Sequence, residues 1–270
     1  MKSIFKYESK PSAVGIIKDL PWYIPAVKLK WGLKAVSVIR KGGKVLEIGC
    51  GGGAMIKGIK YHNRALDAYG VDFCESSLVY ARKNPGGVKF VLGDIYKLPF
   101  KDESFDAVVT FDVLEHLDDL PSALSEVKRV LKPGGVFHSA IPYEGSLCNI
   151  EGWMTHLGWK SKVIYCGHVH NFRIGEPEKL IEDMGLTKSW KKYSGHLLYQ
   201  LFDAVFFTII LLRGKNFPYQ VEGYISSSAG WKTKFLMVIK NIVASLFYLE
   251  SALFSFLPGL HGHLTYQKAT

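Results

Sequence analysis

Short apolar bursts alternate along this chain with amphipathic stretches, and glycine- or proline-rich turns separate them. Residues 26–40 place apolar side chains at helical spacing with Lys28, Lys30 and Lys34 among them, the pattern of an amphipathic helix with a basic face. An apolar burst follows at 45–48, then glycines at 49, 51, 52 and 53, then a helix-like run at 55–60. Further strand patterns at 66–71, 88–92, 105–111 and 136–141 alternate with helical patterns at 75–83 and 121–131. Asn84-Pro85-Gly86-Gly87 and Lys132-Pro133-Gly134-Gly135 close the two helices, and Asp118 and Asp119 are placed to cap the second. Strands and helices alternating at this spacing predict an α/β fold, a parallel sheet covered by helices on both faces. In such sheets ligands bind at the C-terminal ends of the strands.

The run VLEIGCGGGA at 45–54 reads as a buried strand, a tight glycine turn and a helix N-terminus. A turn of this kind lets a ligand approach bare backbone, and the first amides of the helix favour an anionic group. Gly49, Gly51 and Ala54 satisfy the G-x-G-x-x-G/A pattern. Asp72 ends the next strand about twenty residues on, where a carboxylate reaches ribose hydroxyls. These features alone leave a nicotinamide dinucleotide and S-adenosylmethionine both open.

Four further features separate the two. Glu47 stands two residues before the first glycine, where a nicotinamide fingerprint has an apolar residue. Asp94 closes the third strand, placed to meet an adenine amino group; LPFKDESFDAVVTFDVLEHL runs through the fourth strand; LKPGG precedes the fifth. Together these resemble the class I S-adenosylmethionine-dependent methyltransferases, and within them the group that includes the ubiquinone and menaquinone methyltransferases, over residues 44–142. The resemblance implies S-adenosylmethionine as cofactor. It implies Gly49, Gly51 and Gly53 facing the methionine part, with Glu47 near its amino group. It places Asp72 on the ribose, Phe73 along the adenine pocket, Asp94 and Ile95 against the adenine, and Phe111 beside the methionine end. Cys74 stands where the group often has a capping serine. The implied fold is a Rossmann-like, doubly wound sheet of seven strands with strand 7 antiparallel.

The chain departs from that pattern after the helix at 176–184. Residues 186–194 read as strand six and 262–270 as strand seven, and between them 196–261 read as a hydrophobic helical insertion. Its two segments, 197–212 and 235–257, are apolar with sparse polar breaks. In the first, His196, Gln200 and Asp203 fall on one stripe at i, i+4 and i+7, and in the second the polar positions also gather on one side. The first segment is short for a membrane span and the second carries Lys240 and Glu250, so an in-plane anchor or a lid over a lipophilic substrate fits better than a span. A helical cap or a homodimer interface stays open. The expected organisation is a basic, aromatic N-terminal segment at 1–41, a cofactor-binding core at 42–195, the insertion, and the last strand of the core. Trp22, Tyr23 and Trp31 beside Lys28, Lys30 and Lys34, and Lys215, Tyr219, Tyr224, Trp231 and Lys232 further on, have the composition of headgroup contacts.

With 270 residues, 48% hydrophobic, the chain can build one sizeable core. The net charge of +10 and a pI near 9.3 point to an anionic partner, and a mean hydropathy of +0.08 is high for a soluble enzyme. The four cysteines lie far apart and are read as reduced, and residues 1–12 lack the apolar core of a signal peptide. A cytoplasmic, peripherally membrane-associated enzyme is the expectation. Candidate catalytic residues on loops at the open end of the sheet are His116, Tyr143, Glu144, His168 and His170. The alternating His168 and His170 lack an evident third ligand, so no metal is expected. The function expected is methyl transfer to a lipophilic or lipid-linked small molecule at a membrane surface. The alternatives are a tRNA or RNA methyltransferase, prompted by the charge but opposed by the apolar insertion, and a non-catalytic membrane scaffold of the same fold.

Overall fold

The alternating pattern folds into one seven-stranded sheet. The computed structural model describes residues 26–159, 162, 166–213 and 231–270. In chain order the elements are α1 (Ala26–Val36), β1 (Lys44–Ile48), α2 (Ala54–His62), β2 (Asp67–Asp72), α3 (Glu75–Lys83), β3 (Val88–Leu92) and β4 (Phe105–Phe111). There follow α4 (Leu120–Val130), β5 (Leu131–Pro142), α5 (Ile150–His156), α6 (Glu176–Asp183), β6 (Leu186–Ser194), α7 (Leu197–Arg213), α8 (Trp231–Leu253) and β7 (His261–Lys268). The strand order is β3-β2-β1-β4-β5-β7-β6, with β7 antiparallel to both neighbours and the five strands β1 to β5 parallel. This is the Rossmann-like doubly wound sheet with an antiparallel seventh strand, and among the described residues α7 and α8 lie between strands six and seven. The order reverses between β1 and β4, which places the binding crevice at their C-terminal ends.

The central strands are apolar on both sides because each face carries a layer of helices. Val45, Ala107 and Val109 turn to the side where Leu29 of α1, Ile56 and Ile59 of α2 and Leu78 of α3 pack. Leu46, Ile48 and Val108 turn to the other, against Leu124 and Val127 of α4 and Ile181 of α6. Two boundaries differ from the sequence reading. The first helix stops at Val36, since the chain turns there through Ile39 N–H to Val36 C=O and Gly43 N–H to Arg40 C=O. LKPGG does not separate helix from strand but opens β5: Leu131 pairs with Phe105 across a bulge, and Lys132 Nζ meets Asp106 Oδ2 at 2.8 Å. Gly134 accommodates the irregularity at φ +72°.

The insertion helices are amphipathic in reverse. His196, Gln200 and Asp203 are buried, whereas Leu197, Leu198, Leu201 and Val205 are exposed; Gln200 is 7% accessible and Leu197 61%. In α8 Lys240, Glu250 and Ser251 are buried while Ile242, Leu246, Leu249 and Leu253 face outward. The buried polar groups tie the two helices to each other and to α5. Glu250 accepts the Leu198 N–H at 2.7 Å, a carboxylate at the N-terminus of α7 where the helix dipole favours it. Gln200 accepts from Ile150 N–H and donates to Gly195 C=O, each at 2.9 Å. No helix among the described residues is long and apolar enough to cross a membrane. Trp31, expected at a membrane or substrate surface, is instead buried against Trp190 of β6, with ring centroids 6.0 Å apart. Trp22, Tyr23, Lys215, Tyr219 and Tyr224 lie outside the described residues, as do the side chains of Trp231 and Lys232.

Candidate active site

The glycine turn between β1 and α2 is held by β2. Gly49 N–H and Cys50 N–H both donate to Val71 C=O, at 2.8 and 3.1 Å, and Gly51 N–H donates to Asp72 Oδ2 at 2.7 Å. Gly49 has φ +69°, and a Cβ there would sit 2.6 Å from Val113, so the turn requires glycine on both counts. Gly51 shares the left-handed conformation at φ +50°. Gly53 caps α2, and a Cβ on it would strike the Phe90 ring at 2.6 Å, so its bareness serves helix-to-sheet packing.

The other residues that the sequence places at the cofactor ring this turn. Asp72 is buried, with Oδ1 accepting the Cys74 N–H at 2.8 Å; burial pushes its carboxyl up against the lowering pull of these amide bonds. Each carboxylate oxygen keeps acceptor capacity for a hydroxyl. Glu47 lies under the turn with Oε2 accepting Ile56 N–H at 2.8 Å, and burial holds its pKa well above the usual range. A cationic amino group beside it would favour the charged form. Phe73, 61% accessible, and Asp94 are exposed on the rim, and Ile95 is buried beneath. Phe111 is buried under α1, close enough that a Cβ on Gly32 would lie 2.7 Å from its ring. Bare left-handed glycine backbone, a fixed carboxylate with spare acceptor capacity and an exposed aromatic face fit a nucleoside with an aminoacyl tail.

A second group of polar side chains gathers beyond β4. Here Leu114–His116 form one 3-10 turn, and the loop after residue 166 docks on it through Val169 N–H and His170 N–H, both to Glu115 C=O, at 2.8 and 3.0 Å. That docking brings the His116 and His168 rings to 4.8 Å between centroids. His116 Nδ1 donates to Gly167 C=O at 3.1 Å, and His168 Nδ1 lies 2.8 Å from Glu144 Oε2. Burial, with His168 adding to it, lowers His116 to about 4, leaving a neutral ring and a weak proton acceptor at neutral pH. Glu115 is 0% accessible, and burial followed by repulsion from Asp112 pushes its carboxyl well above the usual range.

Two of the expected catalytic residues stand apart from this group. The Tyr143 hydroxyl is in the core, donating to Glu178 Oε1 of α6 at 2.6 Å. His170 turns its Nε2 to Leu117 C=O at 2.8 Å and stacks on Phe172. Sequence reasoning passed over Glu115, although it sits inside the LEHL segment. It also passed over Lys162, which had no signal at all. Lys162 is buried among Glu151 of α5 at 2.7 Å, Asp203 of α7 at 2.9 Å and Glu144 at 3.3 Å. Burial pushes Glu151 up to about 8 against the pull of Lys162, while Lys162 and His168 overcome burial at Glu144 and hold it down at about 2. This seam joins the polar side of the insertion to the histidine cluster. On the outer side of the same helices, Leu147, Trp153, Leu198, Leu249 and Leu253 line an open apolar groove of about 760 Å³.

Comparison with known proteins agrees with this geometry. A family model described as a methyltransferase domain matches residues 46–139. A sterol 24-C-methyltransferase of Gibberella zeae is 38% identical over 104 residues, covering 37% of this chain and 27% of that protein. A demethylmenaquinone methyltransferase of Staphylococcus aureus is 38% identical over 105 residues, 36% of this chain and 42% of its own. The chain thus matches less than half the length of these relatives. In fold the chain resembles a Haemonchus contortus phosphoethanolamine N-methyltransferase solved with S-adenosylmethionine. That likeness has a TM-score of 0.53 at 16% identity, over 92% of this chain and 52% of that one.

Proposed function

The domain built on residues 46–139 belongs to the class I S-adenosylmethionine-dependent methyltransferases, and from that premise we propose that this chain methylates a lipophilic or lipid-linked small molecule at a membrane surface. The observation that carries the reading is the reversed amphipathicity of α7 and α8. Asp203 of α7 closes onto the seam at Lys162, Glu250 of α8 accepts from the N-terminus of α7, and their leucines and isoleucines stand in the open. Apolar side chains aimed outward from two adjacent helices, with a groove between them, suit acyl or prenyl chains rather than water.

The cofactor, when bound, supplies a methyl group already activated on a sulfonium. Asp72 and the Gly49–Gly51 backbone hold and orient it, Phe73 and Ile95 offer apolar surface to its base, and Phe111 with α1 closes the methionine end. Orientation of this kind is worth roughly 7–11 kcal/mol of barrier. The acceptor's head lies against the polar cluster at Glu115, His116 and His168, with its tail along the groove. The relatives named for sterol and menaquinone chemistry support a lipophilic acceptor.

The test is incubation of the protein with lipid extract and methyl-labelled S-adenosylmethionine, followed by mass spectrometry. Label in a lipid species, lost with Asp72→Ala, is the expected result. Label in tRNA alone, or in no fraction, overturns the proposal.

A further inference from the structure

We propose that Glu115, His116 and His168 form a binding site for one divalent transition cation, of the zinc or manganese kind, at the C-terminal end of β4. The candidate ligand atoms of these three residues lie within 4.8 Å of one another. Tetrahedral ligands at about 2.1 Å from a metal stand about 3.4 Å apart, so binding draws the groups in by roughly an ångström.

Three observations support a site rather than a chance grouping. The first is the main chain. Glu115 C=O accepts from Val169 and His170 N–H, which pins the loop carrying His168 against the turn carrying Glu115 and His116. The second lies behind the rings. His116 Nδ1 donates to a backbone carbonyl and His168 Nδ1 is held by the Glu144 carboxylate. Metal-binding histidines are oriented in this way, with the outer nitrogen donating to a carbonyl or carboxylate. The third is the carboxylate. Glu115 is fully buried, and among the described residues neither of its side-chain oxygens has a hydrogen-bond partner. An unpaired buried carboxylate costs several kcal/mol, and a cation bonded to it offsets that cost. Two neutral imidazoles and one carboxylate suit zinc, manganese or iron(II) and are a poor set for calcium.

His170 does not belong to the group, since its Nε2 is directed at Leu117 C=O. The pairing is therefore of residues 116 and 168 with Glu115, not of the alternating histidines. Occupancy of the site does not depend on the methyltransferase reading. Its use does rest on that reading: beside Asp112 at the cofactor end of β4, the cation's open coordination positions suit an oxygen of the acceptor.

Metal-stripped full-length protein titrated with Co²⁺ as a spectroscopic probe, and with Zn²⁺ and Mn²⁺ by calorimetry, tests the site. The expected result is one equivalent bound, with X-ray absorption of the Co²⁺ form showing two imidazole nitrogens. Glu115→Gln and His168→Asn each weaken binding at least about a hundredfold, while His170→Asn binds as the wild type does. No stoichiometric uptake, fewer than two imidazoles, or wild-type affinity in Glu115→Gln overturns the proposal. Should a variant misfold by circular dichroism, the absorption spectrum of the wild type decides alone. Metal uptake by a protein that transfers no methyl group supports the site and counts against the proposed function instead.

Discussion

Lys28 of α1 reaches across the crevice and donates to both carboxylate oxygens of Asp112, at 2.7 and 2.5 Å. Asp112 is the first residue beyond β4 and holds a left-handed backbone at φ +54°, uncommon for a residue with a side chain. The pair ties the N-terminal helix to the strand end proposed for the methionine part of the cofactor, and Phe111 lies beneath it. Half-exposed ion pairs are worth about 1 kcal/mol or less. Lys28→Met should therefore raise the dissociation constant for S-adenosylmethionine about fivefold by calorimetry, with little change in melting temperature. An unchanged affinity would mean that α1 closes the site through packing alone.

Asp72 is proposed to have two duties, and they can be separated from the role of His116. Its carboxylate receives the Gly51 and Cys74 amides and keeps acceptor capacity that the proposed function gives to the ribose. Hydrogen bonds to a charged acceptor are worth about 1.5–3 kcal/mol each, so Asp72→Ala should weaken cofactor binding about a hundredfold or more. His116 faces Gly167 and His168 instead, and His116→Ala should change cofactor affinity less than about threefold. Equal losses in the two variants would remove the assignment of Asp72 to the ribose.

Lys162 lies among three carboxylates contributed by the loop after β5, by α5 and by α7. Removing one partner of a buried ionic cluster leaves uncompensated charge and costs about 3–5 kcal/mol. Lys162→Met should lower stability by that amount in urea denaturation. The loss should be partly recovered when Asp203→Asn is added, because one orphaned charge is then gone. Full stability in the single variant would mean that the seam does not hold the insertion to the core.

How much of this was legible in the sequence depended on how local the signal was. The β1 turn was legible because strand, glycines and the Asp72 carboxylate lie within one βαβ unit, where spacing along the chain fixes spacing in space. The parallel sheet was legible for the same reason. The polar stripe of His196, Gln200 and Asp203 was visible too, but its direction was not: periodicity shows that one face differs from the other without saying which is buried. The cluster of Glu115, His116 and His168 was hidden because it joins residues fifty apart through hydrogen bonds between main chains. Lys162 was hidden more completely, since a single lysine has no pattern until α5 and α7 bring their acids to it.

The histidines under the antiparallel end of the sheet set the response to acid. His138 of β5 is fully buried, bonded to Thr265 Oγ1 at 2.8 Å, and burial lowers it to about 3. His263, stacked on it, is lowered well below its ordinary value, again mainly by burial. In the unfolded chain each takes a proton below about pH 6.5. The unfolded state therefore binds more protons than the folded state, and stability falls as pH drops from about 6.5 towards 3. Each such histidine contributes a slope of about 1.4 kcal/mol per pH unit over that window. Urea midpoints measured between pH 4 and 7 should show this, and His138→Gln should reduce the slope by about one proton. An unchanged slope would mean that His138 is already protonated in the fold.

The reversed helices give the last prediction. Leu198 of α7 and Leu249 of α8 face outward at 48% and 55% accessibility and border the same groove. In water alone, exposed leucines on neighbouring helices cost solubility and gain nothing. At a lipid surface each contributes about 1.5–3 kcal/mol when its side chain leaves water. Replacing both with glutamate should leave the fold intact, because neither side chain is buried. The paired variant Leu198→Glu with Leu249→Glu should bind anionic liposomes at least about a hundredfold more weakly in flotation assays. Transfer of labelled methyl to a membrane-embedded acceptor should fall in proportion, while the affinity for S-adenosylmethionine stays the same because the glycine turn lies elsewhere. Undiminished liposome binding would show that α7 and α8 do not carry the contact. If the wild type were dimeric and the variant monomeric, with neither binding liposomes, these helices would be an interface between two copies of the chain.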